Sequence, residues 1–112
     1  MNKVLVVNND IDTMSLLQSW LEKKSFEVKY TGDPEEVPVL IREFKPHVAL
    51  IDILQYEVIE KIKTPDEKLA IPVILMTGYS GKQQPIQLPV DDIIEKPFNL
   101  HVLENKIRKL IS

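Results

Sequence analysis

The chain has 112 residues, 44% hydrophobic and 28% charged, with a formal net charge of -3; that is one domain's length with one core, and dispersed basic residues on a mildly acidic chain give no electrostatic basis for nucleic-acid or membrane-surface binding. The lack of cysteine excludes a disulfide framework, a thiolate zinc site and a thiol nucleophile. The N terminus offers one lysine and the short apolar run Val4 to Val7, too little for a signal-peptide core or a membrane span, so a single cytoplasmic domain over residues 1–112 is expected.

Lys3 to Val7 reads as a first strand, its unbroken apolar run suiting a parallel sheet covered on both faces. It ends in Asn8-Asn9-Asp10. A first helix is expected from about Asp12, with Met14, Leu17 and Leu21 on one stripe and Leu16 and Trp20 beside it. Phe26 to Tyr30 is a second strand. A second helix follows, with Asp33 as cap, Pro34 in its first turn and Glu35 and Glu36 at the positive dipole end. Pro38 removes a backbone donor, so this helix either begins nearer Glu35 or bends in its first turn.

Val48 to Ile51 is a third buried strand ending in Asp52, and Tyr56 to Lys63 a short helix that Thr64-Pro65-Asp66 stops. The fourth strand, Pro72 to Met76, ends in Thr77-Gly78; the fifth, Asp92 to Glu95, ends in Lys96-Pro97. Asn99 caps a last helix with a core stripe of Leu100, Leu103, Ile107, Leu110 and Ile111. Between the last two strands, Pro85 and Pro89 leave room only for a short or broken fourth helix over residues 79 to 91. Five parallel strands with intervening helices make a doubly wound α/β sheet. Asn8, Asn9, Asp52, Thr77 and Lys96 then share the rim at the strand carboxyl ends, where such sheets bind ligands.

A carboxylate, a hydroxyl and a lysine on that rim suit a phosphoryl group: the first is a nucleophile, the second a hydrogen-bond donor and the third a counter-charge. In order and spacing, "KVLVVNND", "REFKPHVALIDI", "IPVILMTGYS" and "DDIIEKPF" resemble the response regulator receiver domains over nearly the whole chain. The resemblance implies a flavodoxin-like sheet in strand order 2-1-3-4-5. It implies Asp52 as phosphoacceptor, Thr77 as switch hydroxyl, Lys96 as charge partner and a cis Lys96-Pro97 bond. It further implies a histidine kinase or phosphotransfer protein as donor and a downstream protein partner, without direct contact to nucleic acid or membrane. On this reading the chain is not an enzyme beyond its own phosphorylation and dephosphorylation.

Departures from the family pattern cluster on the same rim. Two pocket acids are replaced by Asn8 and Asn9, with Asp10 displaced by one. In the family those acids hold Mg²⁺ together with the acceptor and a backbone carbonyl two residues later. The corresponding set here is Asp52, Asn9 and the Leu54 carbonyl, with Asp10 as a further candidate; it implies weak or absent Mg²⁺, an ion usually held by one or two carboxylates. The Met-Pro-containing loop after the acceptor is shortened to Ile53-Leu54-Gln55-Tyr56, and an often aromatic position is Ile93. These substitutions frame an alternative, a degenerate receiver that works as a phosphorylation-independent interaction module. For Asn8 and Asn9, bonds to nearby backbone compete with metal ligation and are favoured over it.

Other motifs are weaker. Gly78-Tyr79-Ser80-Gly81-Lys82 follows a strand but lacks both the P-loop spacing and a Ser or Thr after the lysine, and it fails the nucleophile-elbow pattern as well. A phosphate-binding enzyme of similar topology therefore lacks a catalytic set. His47 and His101 are isolated in sequence, and Trp20 and Tyr56 read as packing residues.

Overall fold

The structure, a computed structural model, describes residues 2–55, 57–62, 71–78 and 90–111. Five strands, β1 (Asn2–Val7), β2 (Phe26–Thr31), β3 (Val48–Asp52), β4 (Val73–Thr77) and β5 (Asp92–Glu95), pair in parallel in the order β2-β1-β3-β4-β5. The helices are α1 (Ile11–Lys23), α2 (Val37–Phe44), α3 (Glu57–Ile62) and α4 (Leu100–Ile111). This is the doubly wound order that the resemblance implied.

Burial explains the strand sequences. In β1, β3 and β4, Val4–Val7, Val48–Asp52 and Val73–Met76 are buried throughout, whereas edge strand β2 exposes Glu27, Lys29 and Tyr30. Because side chains alternate along a strand, the core divides into two layers. Val4, Val6, Leu50, Ile74 and Met76 pack with Leu17 and Leu21 of α1 and with Leu103 and Ile107 of α4. On the other face, Leu5, Val7, Ile51 and Leu75 pack with Val37 and Ile41 of α2 and with Val58 and Ile59 of α3. Trp20 is a packing residue here: it meets the His101 ring edge-on at 5.0 Å and lies under the Lys24 ammonium at 4.8 Å.

Several boundaries differ from the sequence expectation for local reasons. α1 starts at Ile11 because the Asp10 carboxylate caps it, accepting from the Asp12 N–H at 3.2 Å. Asp33 caps as expected, accepting from the Glu35 N–H at 2.9 Å, but it opens a 3-10 turn at Pro34–Glu36 that passes into α2 at Val37. Pro38 then falls in the first turn of α2, where its missing donor breaks no helical bond. β4 begins at Val73 rather than Pro72, since proline brings no N–H to a ladder; its carbonyl accepts from Ala49 at 2.9 Å. The Lys96-Pro97 peptide is cis. Tyr56 and residues 79–89, on which the expected fourth helix largely falls, lie outside the described residues. Among the described residues, no helix is long and apolar enough to cross a membrane.

α4 is tied to β5 by the Lys106 ammonium, 3.0 Å from Asp92 Oδ1. Burial opposes ionisation of Asp92, but the Ile93 N–H and Lys106 outweigh it and hold the carboxyl below its ordinary value of 3.8. A lowered folded pKa contributes stability above the unfolded value, and that contribution is lost as pH falls through the folded one. Asp92→Asn is therefore expected to lower the urea midpoint at neutral pH, with the gap to wild type closing below pH 3.8; a gap independent of pH contradicts this. Leu50, fully buried in β3, is expected to cost about 2–5 kcal/mol when replaced by alanine. Urea unfolding that shows less than about 1 kcal/mol contradicts its place in the core.

Candidate functional site

The strand carboxyl ends surround a cleft of about 350 Å³ lined by Asn8, Asn9, Asp10, Asp52, Leu54, Gln55 and Lys96. A larger hollow of about 540 Å³ lies beside β2 and α2, lined by residues including Tyr30, Glu35 and Val39, and shares no lining residue with the first. The smaller cleft holds the convergent polar groups.

Asp52 is the last residue of β3 and is 6% exposed. Its Oδ2 lies 2.5 Å from the Lys96 ammonium, and its Oδ1 accepts the Leu54 N–H at 2.8 Å. Lys96 follows β5, where its own N–H donates to the Thr77 carbonyl at 2.8 Å. Since β4 lies between β3 and β5, the contact joins side chains whose strands stand two spacings, about 10 Å, apart. The ammonium stays part exposed while the carboxylate is enclosed. Such a pair orients the carboxylate more surely than it stabilises the fold.

The Asn8-Asn9-Asp10 stretch divides its work. Asn8 is buried, and its side chain joins the site to the first helix: Nδ2 donates towards Asp52 Oδ2 at 3.4 Å, and Oδ1 accepts the Asp10 N–H at 2.7 Å. The second bond is the local backbone bond anticipated for asparagine at a strand end. Asn9 is exposed and lies against Gly32, where a Cβ would come within 2.6 Å of Asn9 Oδ1 and 3.2 Å of the Asn8 carbonyl. A side chain at position 32 would push the Asn9 side chain aside. Asp10 is exposed at the head of α1, its Oδ2 accepting from the Thr13 hydroxyl at 2.6 Å. That bond, aided by the Asp12 N–H and the positive charge of Lys96, lowers its pKa against the effect of desolvation.

Thr77 ends β4 one position past Met76, the register partner of Asp52. Its side chain hydrogen-bonds none of the described residues, and it does not line the cleft. Of the expected trio, the structure therefore brings Asp52 and Lys96 into contact and sets Thr77 beside them on the rim. Ile93, at the often aromatic position, is 46% exposed. His47 is engaged structurally, its Nδ1 accepting the Lys3 N–H at 2.9 Å, and His101 sits in the first turn of α4.

Two features of the site escape sequence reasoning. The amide that reaches Asp52 belongs to Asn8, and Gln55 is a buried polar residue of the cleft wall. As to a divalent ion, among the described residues no group of three or more His, Cys, Asp or Glu side chains converges. Both Asp52 oxygens already have partners, and both Asp10 oxygens serve the helix cap. A set of one engaged carboxylate, two neutral amides and a carbonyl does not fit Mg²⁺ in its usual coordination.

Residues 4–108 match the family model described as the response regulator receiver domain. The chain belongs to that family. Among curated relatives of this receiver domain, the transcriptional regulatory protein YxdJ of Bacillus subtilis (strain 168) is 32% identical over 99% of this chain and 51% of its own length. CpxR of Escherichia coli (strain K12), also a transcriptional regulatory protein, is 29% identical over 99% of this chain and 50% of its own. The chain thus spans about half the length of these relatives. A response-regulator receiver domain from Bermanella marisrubri shares the fold with a TM-score of 0.86 at 20% identity, covering 98% of both chains. The chain is accordingly a receiver domain of the two-component response regulators, a phosphoacceptor signalling domain rather than an enzyme acting on an external substrate.

Proposed function

We propose that this receiver domain takes a phosphoryl group from a histidine kinase or phosphotransfer protein onto Asp52, and that the phosphorylated form signals by docking to a protein partner. The observation that carries this reading is the Asp52–Lys96 contact at 2.5 Å, placed in an open cleft at the strand ends. An oxygen of Asp52 forms a bond to phosphorus as the P–N bond to the donor histidine breaks, and the imidazole leaves. The new group brings negative charge next to Lys96, whose ammonium moves from the carboxylate to the phosphoryl oxygens and neutralises them. The Thr77 hydroxyl, bonded to no described residue, turns to a phosphoryl oxygen in the role of the switch. The Leu54 N–H and the Asn8 amide hold the carboxylate in place. Beyond this self-directed transfer and its reversal by hydrolysis, the domain carries out no chemistry. It works in the cytoplasm, where its donors act. Weak or absent Mg²⁺ binding belongs to the same reading, because the cleft has little fixed negative charge left for a divalent ion.

Incubation with Mg²⁺ and acetyl phosphate, and separately with a cognate kinase, is expected to add one phosphoryl group by intact mass to wild type and none to Asp52→Asn. Lys96→Ala should reduce the extent of modification. Absence of any Asp52-dependent adduct with either donor overturns the proposal and leaves a phosphorylation-independent interaction module in its place. Calorimetric titration with MgCl₂ should give weaker binding for wild type than for the double variant Asn8→Asp, Asn9→Asp, which returns two carboxylates to the cleft. Equal affinities count against the assignment of these two positions to the ion site.

A further inference from the structure

β2 is the outermost strand on its side of the sheet and pairs with β1 alone. It runs Phe26–Thr31 without a proline to close its outer edge. One bond fixes which backbone groups that edge carries. The Thr31 carbonyl accepts the Asn8 N–H at 3.0 Å, so the backbone groups of Thr31 face β1. Facing alternates along a strand in a ladder; Glu27 and Lys29 therefore also turn theirs to β1, and the N–H and C=O of Phe26, Val28 and Tyr30 point outward, where no described strand pairs with them. Such a row is a template for another strand. Room for one lies beside it, in the hollow of about 540 Å³ bounded by Val28, Lys29 and Tyr30 of β2 and by Val39 and Leu40 of α2. Tyr30 and Val39 are 42% and 44% exposed, so an incoming strand also covers apolar surface.

Charge selects the occupant. Glu27 and Lys29 are both exposed and, two residues apart, lie on the same face of β2. The Glu27 carboxylate pairs with none of the described residues, and the Lys29 ammonium rests 5.7 Å from the Phe44 ring centroid. Two copies of β2 pair antiparallel about a two-fold axis only where outward-facing residues meet outward-facing residues, so the axis passes through a residue. An axis at Glu27 sets Glu27 against Glu27, and an axis at Lys29 sets Lys29 against Lys29; like charges so opposed are unfavourable. An axis at Val28 sets Glu27 opposite Lys29 of the second copy, and Lys29 opposite its Glu27. It also sets Phe26 opposite Tyr30, and it lets the outward groups of Phe26, Val28 and Tyr30 exchange backbone bonds. Charges on an edge strand commonly keep other strands away, but these oppose the neighbouring registers and favour this one. We propose that β2 docks the β2 of a second copy of this chain, antiparallel about Val28, joining the two sheets into one. The edge hollow shares no lining residue with the cleft around Asp52, so this interface stands apart from the phosphoacceptor reading.

Sedimentation equilibrium of the purified 112-residue chain is expected to show monomer and dimer in exchange. Glu27→Lys and Lys29→Glu, at exposed positions that leave the core untouched, should each raise the dimer dissociation constant about tenfold or more, because each turns two opposite-charge pairs into like-charge ones. The double variant Glu27→Lys, Lys29→Glu restores both pairs and should dimerise close to wild type. Hydrogen–deuterium exchange gives the second reading: the Phe26, Val28 and Tyr30 amides should slow as protein concentration rises, while the Lys29 amide, turned to β1, should not change. A chain that stays monomeric at every concentration overturns the proposal and leaves the edge to solvent or to a strand of another protein. A dimer indifferent to the single reversals, a double variant as weak as the singles, or a dimer without added protection at Phe26, Val28 and Tyr30 also overturns it.

Discussion

The contact between Lys96 and Asp52 is the constraint on which the site depends. It joins the end of β3 to the residue after β5 across an intervening strand, so it exists only if the sheet order, the register and the turn after β5 are all correct. The ion pair is only partly enclosed, since the lysine side chain is 29% exposed. Its value as stability is accordingly small. Its consequence is directional: a carboxylate held by a cation on one oxygen and a backbone N–H on the other presents a fixed face to the cleft.

Around that pair the cleft is built from neutral amides rather than from acids. Asn8 couples Asp52 to the start of α1 through two bonds of one side chain. Asp10, the nearest remaining acid, is drawn away into capping α1 and bonding Thr13. Gln55 adds a third amide to the cleft wall. Lys96 is the positive charge among the residues that line the cleft.

Much of the fold was legible in the sequence because the central strands are buried on both faces. Val4–Val7, Val48–Ile51 and Val73–Met76 each read as an unbroken apolar run, and each run ends at a polar rim residue. The order 2-1-3-4-5 and the cis Lys96-Pro97 bond came from the family resemblance and are present. What escaped was decided by turn geometry, which hydrophobic period does not report. Strand alternation alone did not show that Asn8 bonds Asp52 while Asn9 faces Gly32. Pro38 left the second helix open between two starts, and the answer was a 3-10 turn leading into α2. Gln55 looked like a loop residue until the tight turn after Asp52 set it in the cleft wall.

The most direct test of the account is chemical mapping of the modified residue. Borohydride reduction of the phosphorylated protein converts an aspartyl phosphate to homoserine, which peptide mass spectrometry then locates. The account predicts homoserine at position 52 alone. Phosphoryl incorporation accompanied by homoserine at Asp10 or another carboxylate, with Asp52 intact, would contradict it.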